Sequence, residues 1–458
     1  MLNPGAVKTL PRLNLAGLER QGSSLPLALF RMAFGLLMFI STVRFLAMGW
    51  VNEFYLVPQV HFTYFGFGWV KPLPAFGMYL VFALMLVSTL LITLGLYYRI
   101  SIIGFFLLFS YLELLDKSFY LNHYYFVSLL SFLLIFLPPH KSLSLDACLG
   151  RTRAANTVPL WTHQIIKLQL ALVYFFAGIA KLNPDWLFQA QPLRIWLRAN
   201  TDLALIGGFF DFFWVALLMS WAGMLYDLCI PFLLFWRKTR PFAYLAVIAF
   251  HILTALVFPI GMFPWIMLVS TLIFFDERDV LRLTRVLPFL SPKQVRTYPS
   301  RAAARLPLIS SILLGFFFMF QIGLCLRHFA YPGNVLWTEE GYRFSWRVML
   351  AEKTGQVLFT LKNNDTGENW LVFPSEYLSP QQQKQMSFQA DMILQFAHFL
   401  RDGFEKSTGD DISVFAEAYV SLNGRPSQLY LDPGQDLAKL SYDLAPRAWI
   451  LPFFKSSY

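Results

Sequence analysis

Charge is scarce in this sequence. Of 458 residues only 14% are charged, against 57% hydrophobic, and the mean hydropathy is +0.52. Soluble domains carry roughly a quarter charged residues, so the shortage excludes a water-soluble globular chain and requires apolar surface to face lipid. Cysteine is scarcer still: Cys148, Cys229 and Cys325 stand far apart without CxxC spacing. That excludes a disulfide scaffold and a zinc site, and no metal is expected. Residues 1–24 hold Lys8, Arg12 and Arg20 but no compact apolar core followed by a small-residue cleavage site. A removable signal peptide is therefore not expected, and the first span should act as an uncleaved anchor. Internal repeats, low-complexity tracts and the inverted halves of a transporter are also missing.

What is present is a series of long apolar runs. A bilayer core about 30 Å thick needs roughly 20 apolar residues per helical crossing, and nine runs qualify or nearly so: 26–48, 73–97, 100–115, 121–137, 161–181, 209–235, 242–258, 260–275 and 308–328. The third, fourth and eighth are short, which keeps seven or eight crossings open. The net charge of +10 lies in the connections between the runs, not on a basic face interleaved with aromatics, so nucleic acid is not an expected partner. With a cytoplasmic N-terminus, seventeen basic residues fall on the cytoplasmic side, seven of them from Arg278 to Arg305. Only Lys71, Lys117, Lys181, Arg194 and Arg198 fall on the other. That is the bias expected of a chain with its N-terminus inside and its C-terminus outside.

The expected organisation is a tail over 1–24, an all-α polytopic domain over 25–328 and a mixed α/β extramembrane domain over 329–458. In the last, Tyr342–Leu350 and Gln356–Leu361 read as strands split by a turn at Lys353-Thr354-Gly355. Trp370–Phe373, Val414–Leu422 and Leu429–Leu431 read as further strands, and 381–404 as one amphipathic helix.

Ionisable groups inside apolar spans are costly and mark candidate sites. Arg31 and Arg44 are expected to snorkel from the first span, Asp211 to lie near an interface, and Glu113, Asp116 and Lys117 to form an interfacial salt-bridge cluster. Lys181 closes the fifth span beside Trp186. It reads either as a snorkelling anchor or, if desolvated, as a neutral amine base. His163 lies about 27 Å below Lys181, at 1.5 Å per helical residue, and is excluded from its site. His123, His251 and His328 are expected at the same depth as the lysine. Three imidazoles with one amine suggest proton chemistry, with a b-type haem between facing histidines as the rival reading, which a Soret band would reveal.

Several stretches together carry a likeness. Leu115-Asp116-Lys117-Ser118 is followed by Asn122-His123 and Val158-Pro159-Leu160-Trp161. Then come Val173-Tyr174-Phe175, Ala177-Gly178, Lys181-Leu182 and Asp185-Trp186, and next Phe250-His251 and Ile260-Gly261-Met262-Phe263. The series continues through His328-Phe329, Gly333, Trp337-Thr338, Tyr342 and Ser345-Trp346 to Asp391-Met392, Val420-Ser421-Leu422-Asn423 and Asp432-Pro433. The ordered set, from about residue 25 to 455, resembles the vitamin K-dependent gamma-glutamyl carboxylase family.

The resemblance implies a carbon-carbon lyase that oxidises vitamin K hydroquinone to its epoxide with O2. The strong base so formed would remove a gamma proton from a glutamate in a protein or peptide, and CO2 would be added. By matching positions, Lys181 is implied as the amine acting on the hydroquinone, with His123, His251 and His328 handling protons. Asn122, Tyr174 and Met262 are implied beside the quinone, and Trp337, Tyr342, Trp346 and Met349 beside the glutamate. Ala180 and Gly341 depart from the family pattern, which has a second lysine and a larger apolar residue there, and the chain stops short of the vertebrate enzyme's C-terminal region. The alternatives are a quinol epoxidase without carboxylation and a non-enzymatic transporter or receptor. The membrane expected is a bacterial inner membrane with a periplasmic C-terminal domain, or the endoplasmic reticulum with a lumenal one.

Overall fold

The computed structural model describes residues 20–286 and 308–454. The readings of the tail up to residue 19 and of the basic connection over 287–307 lie outside them. The apolar runs form α1 (Leu25–Ala47), α2 (Ala75–Leu94), α3 (Tyr98–Leu115), α4 (Asn122–Phe136), α5 (Trp161–Ala180), α6 (Phe213–Phe235), α7 (Arg240–Val257), α8 (Phe263–Thr271) and α9 (Leu308–Leu326). Seven of these are long and apolar enough to cross a membrane, and α4 and α8 are not. At 1.5 Å per residue the 15-residue α4 is about 22 Å long, short of a bilayer core. It stops at Leu137-Pro138-Pro139, where proline withholds the backbone donors a further turn needs. Pro264 starts α8, which tightens into a 3-10 turn over Leu272–Phe274.

The two ends of the bundle are tied differently. At one end a small antiparallel ladder joins β1 (Gln21–Ser23), just before α1, to β2 (Thr157–Pro159), just before α5. There Asp146 accepts from the backbone N–H groups of Tyr97 and Tyr98, satisfying orphan donors at the start of α3. Arg31 departs from its expected snorkelling. It is fully buried and donates to the carbonyls of Ile92, Thr93 and Leu143, so backbone carbonyls at the end of α2 and in a connection, not water, solvate its charge.

At the other end sits the C-terminal domain. Its sheet is antiparallel in the order β4-β3-β5-β6, with β3 (Lys353–Asn363), β4 (Asn369–Val372), β5 (Ile412–Leu422) and β6 (Gln428–Leu429). The β3–β5 ladder runs through Lys353 to Asn363 without a break, so the expected turn at Lys353-Thr354-Gly355 is strand. Residues 342–350 are not a strand, because Phe344, Trp346 and Met349 adopt positive φ. The expected single helix is two, α10 (Pro380–Met386) and α11 (Ala390–Thr408). A capping box of Ser379 and Gln382 starts α10, and α11 packs Phe396 against Phe359 of β3.

The domain seats on the bundle through buried polar contacts. Gln382 donates to Val60 O and Asp116 Oδ2, both at 2.7 Å. Arg425 forks onto Asp185, and Asn423 donates to the same carboxylate. Val60 and Phe62, from the connection between α1 and α2, belong to the same apolar core as the sheet.

Candidate active site

Lys181 is the C-cap residue of α5. A cation there meets the unpaired carbonyls at the negative end of the helix dipole. Its side chain turns inward, only 6% exposed, and its Nζ lies 2.6 Å from Asp227 Oδ2 on α6. Gly178 makes that contact reachable: a Cβ there would fall 2.8 Å from the Leu228 side chain and 2.9 Å from its backbone nitrogen. The ammonium also stands 5.3 Å from the Trp186 ring centre. Trp186 is fixed in turn by donation from its Nε1 to Ser220 O at 2.7 Å.

These groups line a cavity of about 300 Å³. Across it, Tyr174 Oη lies 2.9 Å from His251 Nε2 and 3.4 Å from Tyr226 Oη. Phe250 stacks on Tyr226 at 4.0 Å. Apart from Lys181, Asp227, His251 and the two tyrosine hydroxyls, the wall is almost wholly apolar. Leu253 lines it from α7 while remaining 39% exposed on the bundle's outer surface, so one side-chain layer separates the cavity from the lipid side.

A second cavity, about 450 Å³, adjoins the first and holds Asn122, His123 and Met262. Phe263, Val348 and Met349 line both. The Phe263 ring is 6.1 Å from the His123 ring and 5.7 Å from that of His251, so it stands between the two imidazoles. That arrangement leaves no open space for a macrocycle held by both. Among the described residues there is no cluster of three or more metal-binding side chains.

The sequence-predicted residues of the C-terminal segment scatter around these chambers. Trp346, 1% exposed, enters the bundle core and stacks on Tyr125 with ring centres 5.1 Å apart. Met349 reaches both cavities. Tyr342 lines a third, polar cavity of about 270 Å³. Trp337 is buried in the core of the C-terminal domain, where its Nε1 donates to Leu451 O. His328, with its Nδ1 3.1 Å from Cys325 O, lines none of the three. The Gly341 departure has a local cause: φ is +80°, and a Cβ would lie 2.7 Å from the His328 Cα.

The expected cluster of Glu113, Asp116 and Lys117 does not form as one. Asp116 serves Gln382 and the Ser118 N–H, and Lys117 reaches Asp391 at 2.7 Å. Arg343 meets the same Asp391 oxygen at 2.7 Å. Burial pushes the Lys117 ammonium down to about 8, against the pull of Asp391. Burial opposes ionisation of Asp391 too, yet the charges of Arg343 and Lys117 hold its carboxyl well below the usual carboxylate range.

Sequence reasoning passed over Asp227 and Tyr226. The available signal for Asp227 was its position deep inside the apolar run that becomes α6, of which it is the sole charged residue, and an intramembrane acid is by itself a functional candidate.

Two family models cover nearly all of the described chain. Residues 20–278 match the HTTM domain, and residues 307–456 match the vitamin K-dependent gamma-carboxylase lumenal domain. No solved structure gives a significant match. The first match spans the helical bundle that holds the amine and its imidazoles and the second spans the domain seated above them, so the chain belongs to the vitamin K-dependent gamma-carboxylase family.

Proposed function

We propose that the protein oxidises a vitamin K hydroquinone to its epoxide with O2 and couples that oxidation to carboxylation of a peptide glutamate with CO2. The observation that carries this reading is the Lys181–Asp227 pair inside an apolar cavity one side-chain layer from lipid. When bound, the hydroquinone supplies the reducing power from which a base stronger than any side chain is made.

The remaining chemistry falls to the chain. The ammonium–carboxylate pair can shed its charge internally if the proton crosses the 2.6 Å from Nζ to Oδ2, leaving a neutral amine. That amine accepts a hydroxyl proton from the quinol. Tyr174 and His251 form a second hydrogen-bonded couple on the cavity wall and orient the ring of the substrate. The apolar lining excludes the water that would quench a strong base, and it suits an isoprenoid tail entering past Leu253. The neighbouring chamber, with Asn122 and His123, adjoins the C-terminal domain through Gln381 and Gln385 and suits a glutamate side chain presented from that side. An odd number of crossings and an N-in orientation accord with the basic residues of the connections.

The test is product analysis. Purified protein supplied with vitamin K hydroquinone, O2, labelled CO2 and a glutamate peptide is expected to yield epoxide and fixed label together. Epoxide without label would leave a quinol epoxidase, and neither product would overturn the reading.

A further inference from the structure

We propose that Glu113 is the acceptor through which the proton released in each turnover leaves the reaction chamber. The inference rests on the function proposed above, whose stoichiometry fixes the need. Quinol, O2, a glutamate C–H and CO2 give epoxide, water, a new carboxylate and one proton. The C–H bond breaks, a C–C bond to CO2 forms, the quinol is oxidised and O2 is reduced. Three hydrogens enter, two leave in water, and the third leaves as H⁺. The chamber that holds Lys181 is apolar and cannot pass that proton to bulk water unaided.

Glu113 is suited to receive it. It lies two residues from the end of α3, inside an apolar span, and is half-buried. Among the described residues its carboxylate has no hydrogen-bond or ion-pair partner, whereas Asp116 and Lys117 are both engaged. Glu113 lines the 450 Å³ cavity together with His123, on the far side of Phe263 from Lys181 and His251. An ionisable group is costly at this depth, and one without a partner needs a use. The charged or titratable groups lining the cavity with it are Arg44 of α1, Tyr55 of the turn after α1, Asp116 and Tyr120 of the connection after α3, and His123 and Tyr124 of α4. Arg44 is placed over the Trp50 ring instead of against the carboxylate.

The route onward is also built. Tyr120, Leu121, Asn122 and Gln385 line both this cavity and the polar one that holds Lys117, Arg343 and Lys353. Glu113, as the carboxylic acid, gives its proton to water arriving from the C-terminal-domain side, and the carboxylate so formed takes the next proton from the His123 imidazolium, leaving a neutral imidazole and restoring the acid.

Three measurements test the assignment. In the resting protein, without quinol, dicyclohexylcarbodiimide is expected to modify the peptide containing Glu113, and Glu113→Gln to abolish that adduct; an unmodified Glu113 in folded protein would overturn it. In turnover, Glu113→Gln is expected to keep the first equivalent of epoxide while the steady-state rate falls about 100-fold, the lower end of what a positioned proton acceptor contributes. Glu113→Asp should recover most of the loss. Equal loss of first and later turnovers, or a wild-type rate, contradicts the assignment. In oriented proteoliposomes of the unmodified protein, a pH dye should report one proton per epoxide on the C-terminal-domain side, and release on the opposite side would refute it. Absence of epoxide from wild-type protein would instead refute the function on which the inference rests.

Discussion

Removing Lys181 tests the proposed base, but the structure shows that the simple substitution does two things at once. The pair is 2.6 Å apart with both side chains nearly sealed from solvent. At an effective dielectric of about 20 that distance corresponds to roughly 6 kcal/mol of attraction, much of which offsets the cost of taking two ions out of water. Lys181→Met leaves the Asp227 carboxylate buried without a counter-charge, a change expected to cost about 3–5 kcal/mol of stability. Lost activity in that variant would therefore mix unfolding with chemistry. Replacing both members, as Lys181→Met with Asp227→Leu, removes the stranded charge and should return stability to within about 1 kcal/mol of wild type, so that the two single penalties are strongly non-additive in the double-mutant cycle. Epoxide formation should remain abolished. The assays are reversible unfolding in mixed detergent micelles and epoxide yield on the same four preparations. A stable Lys181→Met single variant would refute the buried pair, and epoxide from the stable double variant would refute the amine as base.

Other outcomes follow from neighbouring contacts. Gly178→Ala should push α6 off α5 at about 1–3 kcal/mol, lengthen the Lys181–Asp227 contact and lower the epoxidation rate without changing peptide KM. Phe263→Ala removes a ring shared by the two chambers; epoxide formation should persist while the ratio of fixed CO2 to epoxide falls severalfold, measured with labelled CO2. At the domain seat the depressed Asp391 carboxyl contributes stability that is complete above its ordinary range near pH 4 and is lost as pH falls through its folded value. Acid should therefore loosen the C-terminal domain only below about pH 4, as read by hydrogen exchange over β5. Asp391→Asn strands two cations; with the raising effect of Asp391 gone, Lys117 should lose its proton below its present value of about 8, so the penalty should be greatest at mildly acidic pH and relax as pH rises toward 8.

The bundle was legible because burial in lipid writes itself as uninterrupted apolar composition, and the helix ends matched prolines and polar connections. Chemistry inside the bundle was half legible. Lys181 and His251 could be placed by depth, since 1.5 Å per residue fixes how far along a span each group sits. Depth does not give azimuth, and azimuth decides which side chains meet. Lys181 meets Asp227 because Gly178 lets two helices touch, a pairing that no spacing within either helix encodes. His123 shares the depth of His251 yet lies beyond the Phe263 ring.

The segment 339–350 shows why the remainder resisted. Its alternation of apolar and polar residues is that of a strand, but the hydrophobic demand it answers comes from two directions: Trp346 is drawn into the bundle while Leu350 belongs to the sheet domain. A strand cannot serve both, since residues 346 and 350 are an even number apart and would point to the same face. The chain instead turns repeatedly through positive φ at Glu339, Gly341, Phe344, Trp346 and Met349. Each such residue other than glycine costs about 1–3 kcal/mol unless its surroundings compel it. The compulsion here is the burial of Trp346 and the position of Met349 between the two chambers. Backbone strain is thus concentrated where the C-terminal domain forms part of the wall of the membrane cavity, and a local reading of propensity fails at the segment through which the two parts of the protein share one site.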